Sequence, residues 1–75
     1  MTEWAERTDE IERVRRAVGR LADSHREVVT LRYVADLPIS EIASVLGISE
    51  AAVKMRLQRA LQNIADILEV ENRGE

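Results

Sequence analysis

The stretch Ser49-Glu50-Ala51-Ala52-Val53-Lys54-Met55-Arg56-Leu57-Gln58-Arg59 places long polar side chains around apolar ones at a helical spacing. At about 3.6 residues per turn, Val53, Leu57, Ala60, Leu61 and Ile64 share one stripe. Glu50, Ala51, Lys54, Met55, Gln58, Arg59 and Gln62 face the other way, with Arg56 and Asn63 on the flank. Lysine, arginine and glutamine can reach phosphates or the major-groove edges of bases, so the outer face has the chemistry of nucleic-acid reading. Small Ala51 and Ala52 would let the start of the helix come close to such a surface. Other chemistry is hard to assemble. There is no cysteine, and the one histidine, His25, has no ligand partners at metal-binding spacing. No nucleophilic triad, carboxylate pair or phosphate loop can be built, so neither catalysis, a cofactor nor a metal site is expected.

A polar helix face alone is what any solvated helix shows. The residues before it carry more. Two helices crossing through a tight turn need a small residue at the contact, a glycine in the turn and an apolar anchor early in the second helix. Ala43, Gly47 and Val53 supply these at spacings of four and six. Ile42, Val45, Leu46, Ile48 and Leu57 are expected to fill the inner surface, and Ser40 and Ser49 to cap the two helices. Gly47 supplies the left-handed residue that ends the first of them. The pattern predicts a helix-turn-helix over residues 39–64.

The elements that must hold this unit are helical. Phenylalanine is absent, proline occurs once at Pro38, and glycine three times. An all-α, four-helix domain is expected, with all 75 residues in one unit. A first helix from Thr2 or Thr8 to about Val18 would bury Trp4, Ile11, Val14, Val18 and Leu21. Ser24-His25-Arg26-Glu27 reads as a capping box opening a second helix at His25, a residue expected to face solvent. Val28, Leu31 and Ala35 would mark its buried face, and Asp36-Leu37-Pro38 would connect it to the third helix, Ile39 to Leu46. The fourth would run from Ser49 to about Val70, with Ile67 and Leu68 packing against the first.

The net charge of −3 looks wrong for a nucleic-acid binder, yet charge is sorted along the chain. Between 49 and 64, Glu50 stands against Lys54, Arg56 and Arg59, leaving +2. From 65 to 75, Asp66, Glu69, Glu71 and Glu75 stand against Arg73, leaving −3. Arg13, Arg15, Arg16 and Arg20 read as a solvated helix face. No leader segment or membrane-spanning run is visible, so a soluble cytoplasmic chain is expected, with self-association not predicted.

Residues 21–61 resemble region four of bacterial sigma factors, nearest to the extracytoplasmic-function type. The resemblance rests on Arg26-Glu27-Val28 with Leu31-Arg32-Tyr33, Glu41-Ile42-Ala43, Leu46-Gly47-Ile48-Ser49, and Val53-Lys54-x-Arg56-Leu57-x-Arg59-Ala60. It implies recognition of the minus-35 promoter element in the major groove, docking on RNA polymerase through the β-subunit flap, and a possible anti-sigma partner. By position, it implies that Lys54, Met55, Gln58 and Arg59 face bases and phosphates. Ser40 and Glu41 would lie near the backbone, and Arg56 would hold a phosphate or an internal partner; Ser49, Glu50 and Ala51, at the start of the reading helix, complete the expected DNA-binding residues. Two departures stand out. Met55 occupies a place where the family usually has serine, and an acidic, apolar extension follows Ala60 where the family tends to be basic. Nothing in 75 residues supplies the part of a sigma factor that melts promoter DNA, so an excised domain or a stand-alone relative is expected. Two alternatives stay open: a LuxR-type regulator of the same four-helix plan, and a module that docks on polymerase or an anti-sigma factor without reading DNA.

Overall fold

A computed structural model describes the backbone of residues 2–73 and the side chains of residues 9–73. Trp4, expected to pack, lies outside the described side chains. Four helices follow in order: α1 (Thr2–Gly19), α2 (Asp23–Val29), α3 (Ile39–Leu46) and α4 (Glu50–Arg73), with a π-helical turn (Thr30–Val34) continuing α2. The all-α class and the element order agree with the sequence reading. The long α4 is the spine, against which α1, α2 and α3 all pack.

The core consists of small and medium side chains. Ala17, Val28, Ile42, Val53 and Ala60 are wholly buried, joined by Leu21, Val29, Ala43, Leu57 and Ile64. Alanine at 17 and 60 adds little bulk where helices approach, which suits a chain without phenylalanine. Ile67 and Leu68 pack against this core as expected. No polar or charged side chain is buried among the described residues.

Several expected core positions instead lie outside. Ile11 is 52% exposed, Val14 43%, Val45 63% and Leu61 44%. Ile11, Val14 and Leu61 line an open groove between α1, the π turn and α4, which none of the described residues closes over. Ala35 is exposed too, while Val29 is buried. The cause is the π turn: the Ala35 amide donates to the Thr30 carbonyl, five residues back, at 3.0 Å. The wider turn shifts later residues out of the stripe that ordinary helical spacing predicts.

Two serines expected to cap helices do not. α2 begins two residues earlier than the capping box implies, with Ala22 as N-cap and no side-chain cap. The Ala22 carbonyl accepts from the amides of His25 (3.0 Å) and Arg26 (2.9 Å), and Arg26 pairs with Asp23 across the first turn. Ser24 is thereby already inside the helix. At α3 the N-cap is Pro38, extended at ψ 158°, whose carbonyl accepts from Glu41 (3.0 Å) and Ile42 (3.1 Å). Ser40 falls within the first turn, where its hydroxyl cannot serve as the cap.

The connector after the π turn is firmly held. Asp36 takes a left-handed φ of 57°, a conformation that aspartate tolerates better than most residues. The Arg32 guanidinium donates to the Leu37 carbonyl at 2.8 Å, fixing the chain as it enters α3.

Candidate nucleic-acid interface

The turn between α3 and α4 forms as its residues predict. Gly47 ends α3 at φ 69°, and the Ile48 amide reaches back to the Ala43 carbonyl at 3.1 Å, closing a Schellman-type turn. Ala43 is buried at the helix contact and Val53 is wholly buried early in α4. Ser49 does cap α4: its hydroxyl accepts from the Ala52 amide at 3.0 Å. The first turn of α4 is thus pinned, and Glu50 lies at the end where backbone N–H groups concentrate positive potential.

From this fixed start, the direction of each side chain on α4 follows. Val53, Leu57, Ala60 and Ile64 are buried. Glu50, Ala51, Lys54, Met55, Gln58 and Arg59 are exposed, and Arg56 is half-buried on the flank. Among the described residues, Lys54, Arg56 and Arg59 enter no ion pair. Gln62 shares the outer face but donates to Asp66 at 3.1 Å. Ser40 and Glu41 lie exposed in the first turn of α3. The expected site residues therefore fall into a main group on the first ten residues of α4 and a smaller one at the start of α3. The outer face has hydrogen-bond donors and acceptors, a local excess of positive charge, and one apolar side chain in its midst.

His25 departs from the expectation of a solvent-facing residue. It is half-buried, and the Asn63 side-chain nitrogen donates to its Nδ1 at 3.1 Å, tying the start of α2 to the flank of α4. No spacing in the sequence signals a pair so far apart.

The second surface feature that sequence reading missed is the groove. It has a volume of about 520 Å³ and an almost wholly apolar lining. Tyr33 (59% exposed) and Val34 (79%) stand at its edge with Ile11, Val14 and Leu61. Periodicity assigns such residues to a core, because it cannot tell a filled interior from an uncovered cleft shared by three elements.

A family model described as Sigma-70, region 4 matches residues 11–64. The chain is 40% identical over 52 residues to the ECF RNA polymerase sigma factor BldN of Streptomyces coelicolor. That match covers 69% of this chain and 20% of the relative, so the chain spans about a fifth of the relative's length. The family-model match, residues 11–64, takes in the helix-turn-helix, the capped start of α4 and most of its outer face. The chain belongs to the sigma-70 region 4 family.

Proposed function

We propose that this domain recognises the minus-35 promoter element as the region-four part of an extracytoplasmic-function sigma factor, acting in the cytoplasm in transcription initiation. The observation that carries the reading is the outer face of α4. Lys54, Met55, Gln58 and Arg59 are clear of the core, on the second helix of a helix-turn-helix, behind a start fixed by Ser49 and Gly47. A helix so placed enters the major groove with its N-terminal residues at base edges. Ser40 and Glu41, at the start of α3, would lie along the backbone, where the helix amides favour phosphate. Arg56, on the flank, would meet a phosphate. The family match favours this reading over a LuxR-type regulator.

The groove supports the second half of the proposal, docking on RNA polymerase through the β-subunit flap. Helix-in-groove binding needs exposed apolar side chains around a cleft, and Ile11, Val14, Tyr33, Val34 and Leu61 provide them. On α4 the groove is lined by Leu61 and Ile64, C-terminal to Lys54, Met55, Gln58 and Arg59, so the two surfaces share none of these residues and both partners can be held together. An anti-sigma factor would act by covering either surface.

The test is selection of bound sequences from a random DNA pool, followed by affinity measurements with Lys54→Ala and Arg59→Ala. A good base contact is worth roughly 1–3 kcal/mol, so each variant should bind about five- to 150-fold more weakly. Both residues are exposed, so helicity and melting should not change. Unchanged affinity in both variants refutes the reading face. A chain that binds polymerase but enriches no DNA sequence is an interaction module instead.

A further inference from the structure

The apolar side chain on the reading face has no structural task. Met55 is 52% exposed. The buried stripe of α4 is Val53, Leu57, Ala60 and Ile64. At about 100° per residue, Met55 points almost directly away from the middle of that stripe. It is also the sixth residue of α4, within the two turns that follow the Ser49 cap. Its neighbours one turn away are Ala51 and Ala52 before it and Gln58 and Arg59 after it. The alanines leave room in front of Met55, and the polar pair flanks it. Whatever surface this helix enters meets Met55 at the centre of the contact.

We propose that Met55 reads the C5-methyl group of a thymine, so that the recognised DNA carries a preferred T beneath the middle of the reading face. The inference rests on the DNA-reading function proposed above and deepens it. The major groove offers acceptors at G N7 and O6, A N7 and T O4, donors at A N6 and C N4, and a single apolar group, the thymine methyl. A thioether is at best a weak acceptor, so it gains little from any of the polar edges. Against the methyl it buries apolar surface on both sides, and its unbranched, polarisable chain adapts to the fit. Gln58 and Arg59 remain free to take the polar edges of adjacent base pairs. A serine at this place could make hydrogen bonds but would ignore the methyl.

The experiment replaces each thymine of a selected duplex, one at a time, with deoxyuridine, which removes only the methyl group. Burial of one such group corresponds to about a fourfold change in affinity. One position should show that loss with the unaltered chain, and 5-methylcytosine there should bind better than cytosine. Met55→Ser should bind the thymine and uracil duplexes alike at that position, and Met55→Leu should keep the discrimination. Indifference to every uracil substitution overturns the proposal, as does an equal penalty in Met55→Ser or an enriched sequence without thymine. In those cases the DNA-reading function stands, provided the selected duplex is still bound and still needs Lys54 and Arg59. Failure to enrich or bind any sequence overturns that function, and this inference with it.

Discussion

Two glycines offer a paired test of what fixes the turn between the two helices of the DNA-reading unit. A Cβ added at Gly19 or at Gly47 would meet no atom within 4 Å, so sterics with neighbours predict the same result for both. Backbone conformation predicts opposite results. Gly47 sits at φ 69°, and an L-residue forced there costs roughly 1–2 kcal/mol. Gly19 is the last residue of α1 with no left-handed φ, so alanine there is expected to stabilise by about 0.5–1 kcal/mol through lower unfolded-state entropy and better helix propensity. A domain of this size shifts in melting temperature by roughly 4–8 °C per kcal/mol. Gly47→Ala should therefore melt about 4–16 °C lower and Gly19→Ala about 2–8 °C higher, read by circular dichroism or urea titration. Gly47→Asn should recover part of the loss, since asparagine tolerates the left-handed region. If Gly47→Ala is as stable as the parent, or the two alanine variants move together, the conformational argument for the turn is wrong.

Ser49→Ala removes the hydroxyl that accepts from the Ala52 amide and should cost about 1 kcal/mol in urea unfolding, whereas Ser40→Ala, which caps nothing, should cost almost nothing. Equal effects would contradict the assigned caps. Ala60→Leu puts three extra carbons into a wholly buried position between helices and should lose roughly 1–3 kcal/mol by calorimetry; a neutral result would mean that the core is loosely packed there. Val34→Asp, at the exposed edge of the groove, should leave melting and DNA selection nearly unchanged while abolishing pull-down of polymerase; retained pull-down would place the docking surface elsewhere.

The sequence makes the helix-turn-helix legible because its constraints are local. Gly47, Ser49, Ala43 and Val53 each act within a turn or two, where spacing alone fixes who meets whom. The outer face of α4 follows from the same arithmetic. What remained hidden depends on long-range placement. Ser24 and Ser40 look like caps by type, but the chain direction set by Ala22 and Pro38 moved both helix starts ahead of them. Ile11, Val14 and Leu61 have core periodicity, yet whether a stripe is covered depends on a neighbour that periodicity cannot see. The π turn at Thr30–Val34 has no signature in residue type, and it displaced Ala35 from the face that helical spacing assigns.

The acidic C-terminal part of α4 is compatible with a DNA-reading face because its acids are both distant and engaged. Glu71 lies 3.5 Å from Arg20 of α1, Glu69 pairs with Arg73, and Asp66 accepts from Gln62. Exposed pairs of this kind contribute only about 0–1 kcal/mol each, so their consequence is placement more than stability. Asp66 is seven residues beyond Arg59, roughly 10 Å along the helix, and Glu71 is further still. The screening length at physiological salt is about 8 Å. The repulsion of these acids therefore reaches the reading face only weakly in the cell, and more strongly at low salt. The attraction is modest as well. With Lys54, Arg56 and Arg59 as the cations of α4 near the reading face, the slope of log affinity against log salt is at most about −2.7 from this helix. So shallow a dependence leaves little sequence-independent affinity. On the proposed function, stable promoter contact must then come from base recognition by Lys54, Met55, Gln58 and Arg59 together with a polymerase that holds the domain at the groove, beside the DNA.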